Sequence, residues 1–380
     1  MKIMMSAGEA SGDMHAAAVA AEIKKENPQA EIFGMGGKNM REAGVRIVYD
    51  IENLGIIGFV EVLKHLPLFL KLIKFLKQTM IKEKPDVLVC VDYPGLNMKV
   101  AHAAKEMGIP VVYYIAPTIW AWKKGRAKQI AGDVKQVASI FPFEAEAYKK
   151  AGAPVTFVGH PLVDTVKTSM SFNEAMEYFR VEKIKKRVLL MPGSRKNEVE
   201  SLLPVMLDAC RVVSKKADCQ FFLPKADTIS HDFLKQFLSK YPELAVTVTE
   251  GKQYDLMQIC TACIASSGTA TLETALMGLP TVLVYKLAPV TWFIAKHVVE
   301  VKYAGLPNLL LQKEVTPELL QDKVTAENIA DRILPWLTGE EIRKKNINEL
   351  QEVRKQLGNE GAVRRTARLI LKTAGERNEK

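Results

Sequence analysis

Short apolar runs recur along the chain, and each is followed by a turn rich in glycine and polar residues and then by an amphipathic or Ala-rich stretch. The first run, residues 2–7, leads into the turn GEASGD and an Ala-rich stretch over residues 14–25. This order predicts strand, turn and helix, the opening unit of a doubly wound α/β fold. Such folds bind ligands at the carboxyl ends of their strands.

The same pattern predicts further strands up to residue 285. They are expected at residues 31–33, 86–91, 111–115, 137–140, 155–158, 187–191, 220–223, 245–249, 263–266 and 281–285. Helices are expected at 326–337, 340–357 and 362–373, and residues 306–310 are predicted to form a loop. The composition turns polar and helical after Gly159-His160-Pro161, which indicates a domain boundary there.

The stretch 266–280, SSGTATLETALMGLP, follows the apolar run 259–265. Together they form a strand–turn–helix unit with the outline of a nucleotide site. The helix begins after Ser267 and Gly268, and free N–H groups at a helix start favour an anion. Glu273 lies one helical turn inside, where a carboxylate can accept both hydroxyls of a ribose. The alternative is an ordinary turn with a solvated glutamate.

Polar residues also follow two other predicted strands. Asp92 comes directly after strand 86–91, where such folds place catalytic groups, although it could equally cap the next helix. Arg195 follows the turn Pro192-Gly193-Ser194 and suits bidentate binding of a diphosphate. The first turn has no G-x-G-x-x-G spacing, so a dinucleotide fingerprint is not supported. His160 either lines a cleft or is a structural hinge residue.

Residues 66–80 form a basic amphipathic pattern. Lys71, Lys74 and Lys77 fall on one helical side, and Leu68, Phe69, Leu72 and Leu76 fall on the other. The apolar side either enters an anionic lipid surface or packs on the sheet.

Composition narrows the class of protein. With 380 residues, two domains are the first expectation, and 48% hydrophobic with 25% charged residues is typical of a soluble globular protein. A formal charge of +10 indicates an anionic partner: nucleic acid, acidic lipid or a phosphorylated substrate. Five cysteines without framework spacing favour a reducing compartment, and Cys260 and Cys263 read as buried thiols. No signal peptide and no apolar stretch of spanning length is recognisable.

A series of motifs resembles the lipid-A-disaccharide synthase family of GT-B glycosyltransferases in order and spacing. The motifs are SAGEASGD, GMGG, DYPGLN, PTIWAW, FPFE, VGHPL, MPGSRKNEV, SSGTATLE and LPNLL. They run from Ser6 to about Leu310, and the full series is highly specific, although SGTATLE alone is more widespread. Leu96 is a mild departure, because phenylalanine is common at that position.

The resemblance implies two Rossmann-like α/β domains facing across a cleft. The first would be residues 1–162, joined by C-terminal helices of about 340–380 that pack back on it, and the second would be residues 163–339. The implied reaction transfers 2,3-diacylglucosamine from its UDP conjugate to 2,3-diacylglucosamine 1-phosphate (lipid X), with inversion. One alternative is another GT-B UDP-sugar transferase or epimerase. A second is a nucleic-acid-binding protein, but the lysines are scattered along the chain, which argues against it.

The resemblance also implies site residues and partners. Asp92 would be the catalytic base. The UDP and donor residues would be Gly193, Ser194, Arg195, Ser267, Gly268, Thr269, Ala270, Glu273 and Asn308. Acceptor or cleft residues would be Glu9, Ser11, Gly12, Asn97, Trp120 and His160. Membrane contacts would come from Leu68, Phe69, Lys71, Leu72, Lys74 and Lys77.

No cofactor and no metal are expected, because the sequence has no D-x-D motif of the kind that binds Mg²⁺ in many sugar-nucleotide enzymes. The expected partners are the two acylated substrates and the anionic surface of the inner membrane, with no nucleic acid. The expected location is cytoplasmic, at the membrane's cytoplasmic face. A homodimer is left open.

Overall fold

A computed structural model describes residues 1–54, 66–117, 119, 124–182, 184–288, 292 and 302–378. The chain divides into two compact units. The first consists of Met1–Asp164 and Leu357–Lys380, and the second of Thr165–Gln356. The first break therefore lies two residues beyond the expected boundary at 162.

The first unit is built on a seven-stranded parallel sheet with the strand order β3-β2-β1-β4-β5-β6-β7. The strands are β1 (Lys2–Ala7), β2 (Glu31–Gly36), β3 (Arg46–Asp50), β4 (Val87–Val91), β5 (Val111–Tyr114), β6 (Gln136–Ser139) and β7 (Val155–Phe157). The helices are α1 (Ala10–Glu26), α2 (Lys38–Glu42), α3 (Leu66–Glu83), α4 (Pro94–Glu106), α5 (Lys124–Asp133), α6 (Pro142–Lys150) and α7 (Leu162–Thr165), which ends across the break.

The second unit repeats the arrangement with a six-stranded parallel sheet, ordered β10-β9-β8-β11-β12-β13. The strands are β8 (Lys186–Met191), β9 (Cys219–Pro224), β10 (Val246–Thr249), β11 (Ala262–Ser266), β12 (Thr281–Tyr285) and β13 (Glu318–Leu320). The helices are α8 (Phe172–Tyr178), α9 (Lys196–Ser214), α10 (His231–Leu238), α11 (Gln253–Ile259), α12 (Thr269–Leu276), α13 (Leu306–Leu311), α14 (Ala326–Thr338) and α15 (Glu340–Gln356), and α16 (Ala362–Asn378) follows in the first unit.

Burial of β4 and β11 explains why the apolar runs predict the strands well. Every residue of both strands is buried, as expected for parallel strands covered on two faces by helices. Edge strands are less apolar, and the sequence pattern missed β3 and β13. The predicted loop at 306–310 is wrong, since these residues belong to α13, where Pro307 fits the first helical turn.

The last two long helices belong to different units, which corrects the expected assignment of both to the first. Helix α15 packs on α12, α13 and α14 of the second unit, and Asn346 of α15 donates to the carbonyl of Val315 at 2.8 Å. Helix α16 packs on α1, where Arg364 and Arg368 both contact Glu26. The chain therefore returns to the first unit at Leu357 instead of near residue 340.

Helix α3 packs its predicted apolar side inside the first unit. Phe69 is 8% exposed and Leu72 is 1% exposed, and both join the core that contains Leu96 and Val100. The expectation that Phe69 and Leu72 contact a membrane is therefore wrong, because a buried side chain cannot insert into lipid. Leu68 and Lys77 are half-buried, whereas Lys71 and Lys74 are exposed. In the described part of the chain, no helix combines the length and apolarity needed to cross a bilayer.

Candidate active site

Each sheet reverses its strand order at one point, and the turns that carry Asp92, Arg195 and Gly268 lie beside those two points. In the first unit the reversal falls between β1 and β4, where Ala7 pairs with Val91. In the second it falls between β8 and β11, where Met191 pairs with Ala265. The turns after the paired strands therefore leave the sheet side by side. In open α/β sheets this is where ligands bind.

Two consecutive residues after β4 adopt a left-handed backbone conformation. Asp92 and Tyr93 both have φ of 49°, which is uncommon for residues other than glycine. Such a conformation costs about 1–3 kcal/mol per residue and persists only where the surroundings hold it. Here Tyr93 packs against Gly8, where an added Cβ would lie 2.1 Å from the Tyr93 ring. The turn therefore carries backbone strain at the predicted catalytic position.

Asn97 holds this turn from within. Its side chain is fully buried, and Nδ2 donates to the carbonyl oxygens of Ser6, Val91 and Asp92 at 2.7–3.1 Å. Its Oδ1 accepts from the Ser6 hydroxyl at 2.7 Å. The expectation that Asn97 lines the acceptor site is wrong, because its amide is buried and fully used. Asn97 instead joins the ends of β1 and β4 and fixes the main chain at Asp92.

The Asp92 side chain lies in surroundings that favour a general base. Burial raises the pKa of its carboxyl, and a hydrogen bond from the Tyr93 N–H opposes that shift. The Tyr113 hydroxyl donates to the main-chain oxygen of Asp92 at 3.0 Å. A carboxylate with a raised pKa is a stronger proton acceptor than an ordinary surface aspartate.

The residues that follow β1, Glu9 and the first turn of α1, are of two kinds. Glu9 and Ser11 are exposed. Gly12 is buried, and a Cβ added to it would lie 3.5 Å from the carbonyl oxygen of Val91. Asp13 is buried, and its carboxylate accepts from the N–H groups of residues 37, 39 and 40 and from the Asn39 amide. Asp13 therefore holds the start of α2 and is not available as a base.

His160 is a structural residue. It is 5% exposed, its ring lies 4.9 Å from that of Phe141, and its Nδ1 accepts from the Leu162 N–H at 3.1 Å. Burial lowers the pKa of the imidazole to about 3, with a smaller contribution from the neighbouring His15. This burial and these contacts favour a structural role for His160 over a place in a cleft. Trp120 lies outside the described residues.

In the second unit, the turn after β8 presents main-chain N–H groups and one arginine. Gly193 has φ of 117°, and an added Cβ would lie 2.2 Å from Oε2 of Glu198. Ser194 is exposed, and the Arg195 side chain is 80% exposed while its Nη1 donates to Glu198 Oε1 at 3.2 Å. The arginine is thus held at the start of α9 with its guanidinium open to solvent.

The turn after β11 presents the start of α12. Gly268 has φ of 146°, a conformation that favours glycine, and its carbonyl accepts from the Thr271 hydroxyl at 2.8 Å. Ser267 precedes it, and Thr269 and Ala270 form the first helical positions. The N–H groups of the first turn of a helix have no partner inside the helix, so they suit an anion.

Glu273 lies one turn further along α12 and is held in place. Its Oε1 accepts from the Tyr254 hydroxyl at 2.8 Å and from the Gln253 amide at 3.4 Å. Burial raises the pKa of this carboxyl, and the bond from Tyr254 opposes the shift. Among the described residues Oε2 accepts no hydrogen bond, which leaves one oxygen for a ligand hydroxyl.

Asn308 does not join this group. It is fully buried, and its Nδ2 donates to the Thr316 carbonyl and to Glu318 Oε1 at 2.6 and 2.7 Å. Its Oδ1 accepts from the N–H groups of Val315 and Thr316 at 2.7 and 2.9 Å. The expectation that Asn308 contributes to the UDP pocket is wrong, because its amide ties α13 to β13.

Several residues at these sites were not singled out from the sequence. They are Tyr93, Tyr113, Glu198, Tyr254 and Tyr285. Tyr285 ends β12 beside β11, and its pKa is raised by burial and by Glu198, with Arg195 opposing. The sequence could have indicated Tyr93 and Tyr285, because both lie at or just after the end of a predicted strand. The hydroxyl contacts of Tyr113 and Tyr254 depend on tertiary packing.

Comparisons with known proteins agree over nearly the whole chain. The family profile described as lipid-A-disaccharide synthetase matches residues 3–373. The lipid-A-disaccharide synthase of Geobacter sulfurreducens is 40% identical over 376 residues, which cover 99% of this chain and 98% of that protein. The enzyme of the same name from Trichlorobacter lovleyi is 42% identical over 371 residues, 97% of each chain.

Solved structures share the fold at low identity. A UDP-GlcNAc 2-epimerase from Neisseria meningitidis, bound to UDP-GlcNAc, has a TM-score of 0.64 and 14% identity, covering 99% of this chain and all of that one. MurG of Acinetobacter baumannii has a TM-score of 0.61 and 15% identity, covering 98% and 99%. The two parallel-sheet α/β units are therefore those of the GT-B architecture.

Proposed function

The chain belongs to the lipid-A-disaccharide synthetase family, an enzyme family of lipid A biosynthesis, and we propose that its two strand-end sites divide the family's reaction between them. The turn after β4 would act on the acceptor, lipid X. The turns after β8 and β11 would bind the donor, UDP-2,3-diacylglucosamine. The products would be the β-1,6-linked disaccharide 1-phosphate and UDP.

The acceptor half rests on Asp92. Its carboxylate would take the proton of the acceptor 6-hydroxyl while that oxygen forms a bond to the anomeric carbon of the donor. The raised pKa of Asp92 and the strained backbone that orients it support this role. Asn97 and Tyr113 would act as positioning residues through the main chain of Asp92. Glu9 and Ser11, exposed at the start of α1 after β1, would contact the acceptor.

The donor half rests on one observation above all: two helix starts and an exposed arginine meet at the strand-order reversal of the second unit. As the bond between the anomeric carbon and the phosphate oxygen breaks, its electron pair moves to UDP. Arg195 and the N–H groups near Gly193, Ser194, Ser267 and Gly268 would offset that charge. Glu273 would accept the ribose hydroxyls.

An anionic membrane surface would be the third partner, in contact with the outward side of α3. Both substrates carry acyl chains that favour a bilayer, so the enzyme works where lipid is present. Leu70 and Ile81 are 54% and 62% exposed, and Lys71 and Lys74 are exposed on the same side. Each lysine near an anionic surface contributes about 1 kcal/mol. This side replaces the buried Phe69 and Leu72 as the proposed lipid contact.

Calorimetric titration with UDP tests the donor site. Arg195→Ala and Glu273→Ala should each weaken UDP binding by about 1–3 kcal/mol, the scale for losing a hydrogen bond to a charged group. Arg211→Ala is the matched control, because Arg211 lies near the other end of the same helix and pairs with Glu243. Unchanged UDP affinity in both site variants would remove the donor site proposed here.

A further inference from the structure

The carboxylate of Glu198 already holds the donors that a phosphate of UDP would need. Its Oε2 accepts from the main-chain N–H groups of Ser194 and Arg195 at 3.2 and 3.4 Å. Its Oε1 accepts from the Arg195 guanidinium at 3.2 Å. All three donors belong to the turn after β8. A carboxylate and a phosphate carry the same sign of charge, so the two anions compete for this turn.

The turn is shaped around that carboxylate. At Gly193 an added Cβ would lie 2.2 Å from Oε2 and 2.7 Å from Cβ of Glu198, so only glycine leaves room for the glutamate. A glutamate at the third position of a helix commonly accepts from the N–H of the residue that caps the helix. Glu198 also accepts from the preceding N–H, that of Ser194, and from the guanidinium, so it occupies three donors of the turn at once.

We infer that Glu198 is an internal competitor of the UDP diphosphate. It holds the turn in an anion-binding conformation, leaves when the UDP-sugar binds, and returns as UDP departs. The inference rests on the proposed function of this turn and adds a control of UDP affinity to it. Glu198 is a positioning residue, since it acts through Arg195 and the main chain and not on the reacting atoms.

Glu198→Gln removes the charge of this side chain and keeps its size and shape. Its amide oxygen can still accept from the N–H groups, so the start of α9 keeps its cap. A neutral acceptor forms weaker bonds than a carboxylate and leaves the charge of Arg195 uncompensated. The phosphate then displaces it more readily. Glu198→Gln should therefore bind UDP more tightly, by about 10-fold, which corresponds to about 1.4 kcal/mol.

The experiment measures the Kd of UDP by calorimetry for the wild-type chain, Glu198→Gln, Glu200→Gln and Arg195→Ala. Glu200 is exposed on the same helix and loses the same charge, so Glu200→Gln should bind UDP as the wild-type chain does. Tighter UDP binding should also appear as stronger product inhibition and a lower kcat in Glu198→Gln. Glu198→Asp is one methylene shorter and should tighten UDP binding too. It provides a second test of the inference if Glu198→Gln does not fold.

Two outcomes separate this inference from the proposed function. If Arg195→Ala weakens UDP binding while Glu198→Gln and Glu198→Asp bind UDP no more tightly than the wild-type chain, the donor site stands and the competitor role is wrong. If Arg195→Ala and Glu198→Gln both leave UDP affinity unchanged, the diphosphate does not bind at this turn, and both proposals are overturned.

Discussion

At the scale of single residues, Asp92 combines backbone strain with a raised carboxyl pKa. Burial disfavours the ionised carboxylate in the folded chain, whereas in the unfolded chain the group titrates near its ordinary pKa of about 3.9. Above its folded pKa the buried charge therefore costs stability, and below about pH 4 that cost vanishes because the group is protonated in both states. A general base here is a source of instability near neutral pH.

Replacement of Asp92 by asparagine should separate catalysis from folding. Turnover should fall by on the order of 10²–10⁴, the usual loss for a general base, while UDP affinity stays unchanged. The variant should also unfold at a higher temperature than the wild-type chain at pH 7, with the difference shrinking as the pH falls towards 4. Turnover assays and melting curves at several pH values check both. Near-normal turnover would show that Asp92 is structural.

Two asparagines show what a sequence cannot reveal about a site. Both Asn97 and Asn308 lie in motifs of the family, and both were expected to face a ligand. In the fold each amide is fully buried and bonded mostly to main-chain groups. Those partners come from other elements and meet the amide only after folding. By contrast, a charged side chain is rarely buried without a partner. The sequence alone therefore already limits where Asp92, Arg195 and Glu273 can lie.

At the scale of elements, α3 has two faces with different roles. Phe69 and Leu72 pack in the core, whereas Leu70, Lys71 and Ile81 are exposed. The sequence pattern placed Phe69 and Leu72 on the side opposite the lysines, but it could not show that this side is the buried one or that Leu70 and Ile81 are exposed on the other. Packing therefore leaves Leu70 and Ile81, and not Phe69 and Leu72, for the proposed lipid contact.

Paired substitutions on α3 test the two faces. Leu70→Ser with Ile81→Ser should reduce co-sedimentation with anionic vesicles several-fold and leave the melting temperature near the wild-type value. Phe69→Ser with Leu72→Ser should lower the melting temperature sharply, since burying polar groups in a core costs several kcal/mol. Ile342→Ser, at an exposed apolar position of α15, is the control for vesicle binding. Unaltered vesicle binding after Leu70→Ser with Ile81→Ser would contradict the proposed membrane contact.

Elements were predictable where burial is complete. Central strands such as β4 and β11 are continuous apolar runs, but the edge strand β3, with the sequence RIVYD, is partly exposed and has no such run. Helix α1 begins at Ala10, four residues earlier than expected, because Ser11 and Gly12 of the turn are already helical. Local composition describes these residues as a turn, and the packing of Gly12 against Ala7 allows the helix to include them.

At the scale of the whole molecule, the strand order determines where chemistry can occur. Both sheets reverse their order next to the first strand of the unit, and the turns beside those strands carry Asp92 in one unit and Arg195 in the other. The sequence located these turns because glycine and polar residues follow buried runs. The sequence could not assign α15 and α16 to their units, because both helices are amphipathic and either could pack on either unit. The assignment depends on which apolar surface each unit leaves uncovered.

Turnover on the acylated substrates is the decisive measurement for the proposed transfer of diacylglucosamine from its UDP conjugate to lipid X. The purified chain is given UDP-2,3-diacylglucosamine and lipid X in mixed micelles containing EDTA, beside a reaction in which UDP-GlcNAc replaces the donor. We expect release of UDP with formation of a β-1,6-linked disaccharide 1-phosphate from the acylated pair, and no turnover or epimerisation of UDP-GlcNAc. Epimerisation of UDP-GlcNAc, or no disaccharide from the acylated pair in a chain that binds UDP, would contradict it.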